Sequence, residues 1–171
     1  MGKAGVRETI ASMNPNPAVN SYLRTKVMTA SPHELRMMLY EGAVRFSHQA
    51  RKAIDAQDIE GSYNALTRAQ KIVLELSTSL NHDIAPELCD KLSALYTYIY
   101  RLLVDANMSR DPAKLDEAIK LLEYERETWQ LLVQQMEQEE GDAGDVMRSR
   151  MDNVDLSGAQ QTAISSFSAD G

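Results

Sequence analysis

The sequence predicts an all-α protein, an antiparallel up-down-up-down four-helix bundle with a short N-terminal capping helix. Three observations lead there. Apolar residues recur every three or four positions through four long windows. Two of those windows open on a cap-then-proline pair, Ser31-Pro32 and Asp111-Pro112. No window alternates with period two, and no Asn-Gly or Asp-Gly pair separates apolar runs, so no segment reads as a strand. Connections of a few residues then make consecutive helices antiparallel neighbours.

The elements follow in order. Residues 1–16 are small, polar and punctuated by Asn and Pro, and are expected to be disordered. Pro17 opens a short helix to about Lys26 that carries Val19, Tyr22 and Leu23 on one side. Ser31, Pro32 and Glu34 then form a capping box reinforced by proline, which starts a long helix running to about Gln57. After Asp58 a second stripe runs through Ile59, Tyr63, Leu66, Ala69, Val73, Leu76 and Leu80. Asn81-His82-Asp83 is a turn in which Asp83 can cap the third long helix. That helix carries Leu88, Leu92, Leu95, Ile99 and Leu102 toward Asn107. The fourth follows Asp111-Pro112 with Leu115, Ile119, Leu122, Trp129, Leu132 and Met136. Past Glu137 the period fades. The organisation expected is a disordered N-terminal segment (1–16), a helical bundle (17–138) and an acidic disordered tail (139–171).

Charge and composition exclude several classes of function. The net charge is −7, and residues 137–171 supply −6 of it, with eight acids against two bases. The body is nearly neutral, without the basic footprint of a nucleic-acid binder. The N-terminus lacks the apolar core of a signal peptide, and no run approaches the roughly 18 apolar residues of a membrane span. Cys89 is the sole cysteine and reads as a buried thiol, so a cytoplasmic protein is expected.

A di-metal bundle would need Glu-x-x-His pairs, but Ala30, Arg45 and Ser79 stand three residues before His33, His48 and His82. The three histidines read as solvated. No phosphate-cradling loop or nucleophile elbow occurs, and Asp116, Glu117, Glu123, Glu125 and Glu127 fall outside the apolar stripe, reading as a wetted face. Neither enzyme activity nor a metal or other cofactor is expected.

Two helices carry more apolar surface than one core-facing stripe requires. From Leu35 to Phe46 the only clearly polar side chains are Arg36, Glu41 and Arg45. From Leu92 to Val104 they are Ser93, Thr97 and Arg101, a single narrow strip. Residues project at 100° steps along the helix, so Tyr98 points away from Tyr96 and Tyr100 and the three cannot all face one core. Every member of a four-helix bundle has an outer face, so the excess is expected to be exposed and to bind another polypeptide. Four large side chains so placed would bring about 6–12 kcal/mol gross on burial.

In these stretches the sequence resembles the FliS-type flagellar secretion chaperones. Tyr22, Val27 and Thr29-Ala30-Ser31-Pro32, continued by Leu35, Met38-Leu39-Tyr40 and Gly42-Ala43, match the family's opening motif. Leu92, Leu95-Tyr96, Tyr98, Leu102 and Ala106-Asn107 resemble its second block, and Trp129 its late tryptophan. The resemblance implies a chaperone that binds the disordered C-terminal segment of flagellin, prevents its premature polymerisation and delivers it to the flagellar export gate. It also implies that the N-terminal segment can occupy part of the groove when the client is absent.

By matched motif, Tyr22, Val27, Leu35, Met38, Leu39 and Ala43 are client-binding candidates on one side, with Tyr96, Leu102, Ala106 and Asn107 on the other. Met37, Val44, Ile99, Tyr100 and Leu103 join them from the surface argument alone. About half of these are expected to be core, while Ser31 and Pro32 read as helix-start chemistry. The turn NHDIAPEL lacks the glycines associated with the family, and the acidic tail is longer than the family's. Within that tail Val154, Leu156, Ile164 and Phe167 offer a second reading, a client mimic folding back over the groove, beside that of a solubilising extension. The alternative for the whole chain is a self-associating structural bundle, a homodimer through the same faces.

Overall fold

The computed structural model describes residues 3–11 and 17–165, with side chains over 5–11 and 21–143. All regular structure among them is helical: α1 (Lys3–Ala11), α2 (Pro17–Thr29), α3 (Pro32–Asp55), α4 (Ile59–Thr78), α5 (Pro86–Ser109) and α6 (Pro112–Ser165). The chain divides into two compact units, residues 1–130 and 131–171.

In the first unit α3 packs on α4 and α4 on α5. Contacts along α6 run backwards against α3: the Trp129 Nε1–H donates to the His33 carbonyl at 3.1 Å, His48 Nε2 meets Glu123 at 2.8 Å, and Arg51 Nε donates to Asp116 at 2.8 Å. They run backwards against α5 too, where the Tyr98 hydroxyl donates to Glu117 at 2.6 Å and Lys114 Nζ reaches Asp105 at 2.9 Å. Across the centre, the hydroxyls of Tyr40 on α3 and Tyr96 on α5 meet in a short hydrogen bond. Burial pushes both phenols above their usual pKa. Around this pair one continuous cluster takes Leu39, Ala43 and Phe46 from α3, Leu66, Ile72 and Leu76 from α4, Ile99 and Leu103 from α5, and Leu115 and Leu122 from α6.

The start signals act as the sequence predicts. The Glu34 N–H donates to Ser31 Oγ at 3.2 Å and the Ser31 N–H to Glu34 Oε2 at 2.7 Å, a complete capping box that holds the Glu34 carboxyl below its ordinary pKa. Asp111 Oδ1 accepts from the Ala113 N–H at 2.9 Å before Pro112 opens α6. At the start of α4, Asp58 Oδ1 accepts from the Gly61 N–H at 2.9 Å. A Cβ on Gly61 would lie 2.1 Å from the same carboxylate, so any larger residue there would make the Asp58 side chain shift. Helix α3 ends with Gln57 at φ 57°, the Asp58 N–H bonding the Ala53 carbonyl and the Gln57 N–H that of Ile54. This is a Schellman termination on a residue with a Cβ.

Several expectations are corrected. Residues 3–11, read as disordered, form α1, whose Val6 and Ile10 are 6% and 1% exposed. Their i, i+4 spacing was the missed signal. The buried stripe of α4 passes through Ser62, Ala65, Leu66, Ala69, Ile72, Val73 and Leu76, leaving Ile59 and Tyr63 outside. Asp83 does not cap α5, which starts at Pro86 after Ala85 without any side-chain cap. Glu123, Asp116 and Glu117 are not simply wetted, since each ties α6 to a neighbouring helix. His48 and His33 likewise have protein partners, Glu123 for the first and the Trp129 ring, 5.8 Å away, for the second.

In the second unit, α6 continues as helix to Ser165 where the sequence predicts a disordered tail from 139. No proline interrupts that stretch, and its Glu, Gln, Met and Arg content favours helix even without an apolar face. Residues 137–143 are all exposed. The side chains of Val154, Leu156, Ile164 and Phe167 lie outside those described.

Candidate functional site

The structure divides the fifteen residues expected to bind a client. Val27, Leu35, Leu39, Ala43 and Val44 are buried, as are Tyr96, Ile99, Leu102, Leu103 and Ala106. Met37, Met38 and Asn107 are half-buried, and Tyr22 and Tyr100 are exposed, at 68% and 36%. An open apolar face along α3 and α5 is therefore corrected. Reasoning from four helices alone left out α1, which packs against α2, α3 and α4 and lies over part of the excess. Of the three tyrosines of α5, Tyr96 is buried and Tyr98, on the opposite side of the helix, is exposed, while Tyr100, one turn beyond Tyr96, is exposed at 36%.

The way α1 is held is informative. Val6 and Ile10 join the same cluster as Leu35, Leu39 and Ala43, a gross gain of about 3–6 kcal/mol for two aliphatic side chains. Against this, Arg7 Nε is buried and has no hydrogen-bond partner among the described residues. The backbone at Gly5 comes so close to α4 that a Cβ there would lie 3.1 Å from Glu75 Oε1, and desolvation raises the Glu75 pKa. Nine residues with no acidic side chain in the first turn and no basic one in the last make a helix that is marginal alone. So α1 is a cover whose hold combines favourable apolar burial with two unfavourable polar terms.

Beside α1 a pocket of about 680 Å³ opens between Val6, the start of α3, the end of α4 and Trp129. Leu35, Leu39, Leu80 and Ile84 give it apolar walls, and Arg36 is the charged side chain within it. The Arg36 guanidinium lies over the Trp129 ring, 5.2 Å from its centroid.

Other large apolar side chains stand in the open. Leu74 and Leu88 are exposed within about one turn of the α4–α5 connection, and Ile84 inside it is 81% exposed. Sequence reasoning missed Leu74 and Ile84, and assigned Leu88 to a buried stripe. The lack of any polar reason for an isoleucine in a turn was the available signal. Among the described residues no three His, Cys, Asp or Glu side chains gather as a metal site, and no helix is long and apolar enough to cross a membrane.

Comparison with known proteins gives a consistent result. The sequence model of the family described as "Flagellar protein FliS" matches residues 14–136. The flagellar secretion chaperone FliS of Bacillus subtilis is 38% identical over 125 residues, 73% of this chain and 90% of the relative. That of Campylobacter jejuni is 34% identical over 117 residues, covering 68% and 91%, and that of Salmonella typhimurium 33% over 108 residues, covering 63% and 80%. A solved structure of a flagellar chaperone from bacteria superposes with a TM-score of 0.58 over 70% of this chain and 99% of that one. At 20% identity this shows a shared fold.

Proposed function

The chain belongs to the FliS family of flagellar secretion chaperones, and on that footing we propose that it binds the C-terminal segment of a flagellin. It does so in the cytoplasm, keeps the subunit from polymerising early, and passes it to a component of the flagellar export gate. It acts by covering apolar surface and by no bond-making chemistry. The observation that carries this reading is α1, a nine-residue helix packed on α2 and α3, the helices that carry the family's opening motif, with Val6 and Ile10 in the shared apolar cluster. It occupies a seat that a longer amphipathic client segment would take over.

In this reading the client displaces α1 and meets Val27, Leu35, Leu39 and Ala43 from above, with Met37, Met38 and Val44 alongside. Tyr100 and Asn107 contribute from the outer side of α5, together with exposed Leu74, Ile84 and Leu88. Tyr96, Ile99, Leu102, Leu103 and Ala106 support that surface from beneath. Residues 17–138 form the chaperone body.

Titration of the full chain with a flagellin C-terminal segment, followed by calorimetry and circular dichroism, tests this. A one-to-one complex with added helix is expected. No heat and no added helix would refute it, and an obligate dimer that ignores the segment would favour a self-associating bundle.

A further inference from the structure

We infer that the pocket beside α1 takes the chain-terminal carboxylate of an apolar peptide, with Arg36 as its receptor. The inference rests on the client reading above and specifies the end of the client that enters the pocket. It starts from a charge with unused bonding capacity. Arg36 is part-buried, yet among the described residues no carboxylate lies within ion-pair distance of it.

All its hydrogen bonds go to neutral oxygens and are long. Nη1 donates to the Tyr96 hydroxyl at 3.4 Å, and Nη2 donates to Ser79 Oγ at 3.2 Å and to the Ser79 carbonyl at 3.5 Å. Charge-assisted bonds from a guanidinium to a carboxylate close to roughly 2.7–2.9 Å, and a planar fork favours a bidentate partner. A desolvated guanidinium left with neutral acceptors retains most of its affinity for an anion.

The surroundings decide which anion fits. The Trp129 ring covers one face of the guanidinium, which leaves the in-plane N–H edges as the binding direction. The walls are aliphatic, from Leu35, Leu39, Leu80 and Ile84, and no acidic side chain lines the pocket. A multiply charged phosphate would find one cation and an apolar cavity. A single carboxylate joined to apolar side chains finds both halves of its chemistry matched. At about 680 Å³ the space falls within the usual range for pockets enclosing small ligands, of order 300–1,000 Å³. It has room for the last residues of a chain. A chaperone for a C-terminal segment could thereby read where its client ends, and a segment from the middle of a protein would lack the group that Arg36 binds.

The test compares one flagellin C-terminal peptide synthesised as the free acid and as the terminal amide, each titrated into the full chain. With wild type, the free acid is expected to bind about tenfold more tightly than the amide, as charge-assisted hydrogen bonds require. Arg36→Gln keeps a donor for Ser79 and is expected to abolish the difference between acid and amide, with its helix content checked by circular dichroism. Equal affinity of acid and amide for wild type overturns the inference and leaves the chaperone reading intact, and that comparison needs no variant. Octanoate displacing neither peptide yet binding at Arg36 would also overturn it, by assigning the pocket to small acids. Failure of both peptides to bind overturns this inference and the client reading together.

Discussion

Helices α1 and α3 place aliphatic side chains in one cluster, yet they are held in different ways. α3 spans 24 residues, starts on a complete capping box and buries nine residues. α1 spans nine, buries Val6 and Ile10, and leaves Arg7 Nε without a hydrogen-bond partner among the described residues. Burial by itself does not separate fixed core from removable cover. The separation comes from length, capping and the polar groups each helix strands. A cluster built from both kinds of helix can give up one member and keep its fold.

The largest expected effects test that difference directly. Leu39→Ala, at a fully buried site on α3, should cost about 2–5 kcal/mol by denaturant unfolding. Ala43→Asp, also on α3 and fully buried, should remove the cooperative transition altogether, because it would place a carboxylate among the apolar side chains of the cluster. Ile10→Asp is as deeply buried in the structure, but it should release α1 and shift global unfolding by no more than about 1 kcal/mol, as expected for a locally opening element. If Ile10→Asp destabilises as much as a charge in α3, α1 is core and the contrast fails.

Ser31→Ala should cost about 1 kcal/mol, because it removes the oxygen that accepts from the Glu34 N–H. The loss should appear in the unfolding of α3 and leave α1 exchange unaltered. The smallest effect concerns pH. Burial raises the Glu75 pKa from 4.5, so its neutral form favours the folded arrangement. That contribution is complete below about 4.5 and is lost as pH rises through the raised value. Glu75→Gln should therefore increase amide protection in α1 at neutral pH and match wild type in acid. Equal protection at both pH values would remove Glu75 from the account of how α1 is held.

Much of the bundle was legible because its signals are local. The Ser31 and Glu34 box and the Asp111-Pro112 start are fixed by neighbouring residues, and the structure has them as read. The site was less legible because burial depends on which distant helix arrives. Leu39 and Val44 look like surplus on a four-helix plan yet are buried, and α1, which adds Val6 and Ile10 to the same cluster, hides that apolar pair in a polar segment. The α4 stripe was rotated because Ile59 and Tyr63 are apolar by type but exposed, while Ser62 is the residue turned inward. Arg36 gave no sequence signal at all, since its meaning comes from Trp129 and Ser79, which are far away along the chain.

In the proposed function α1 occupies a seat belonging to the client. Hydrogen exchange at the amides of residues 5–11, measured with and without a saturating flagellin C-terminal segment, tests it most directly. The account predicts that α1 loses its protection when the segment binds, while α3 from Leu35 to Ala43 becomes more protected. Binding that leaves α1 as protected as before would contradict it.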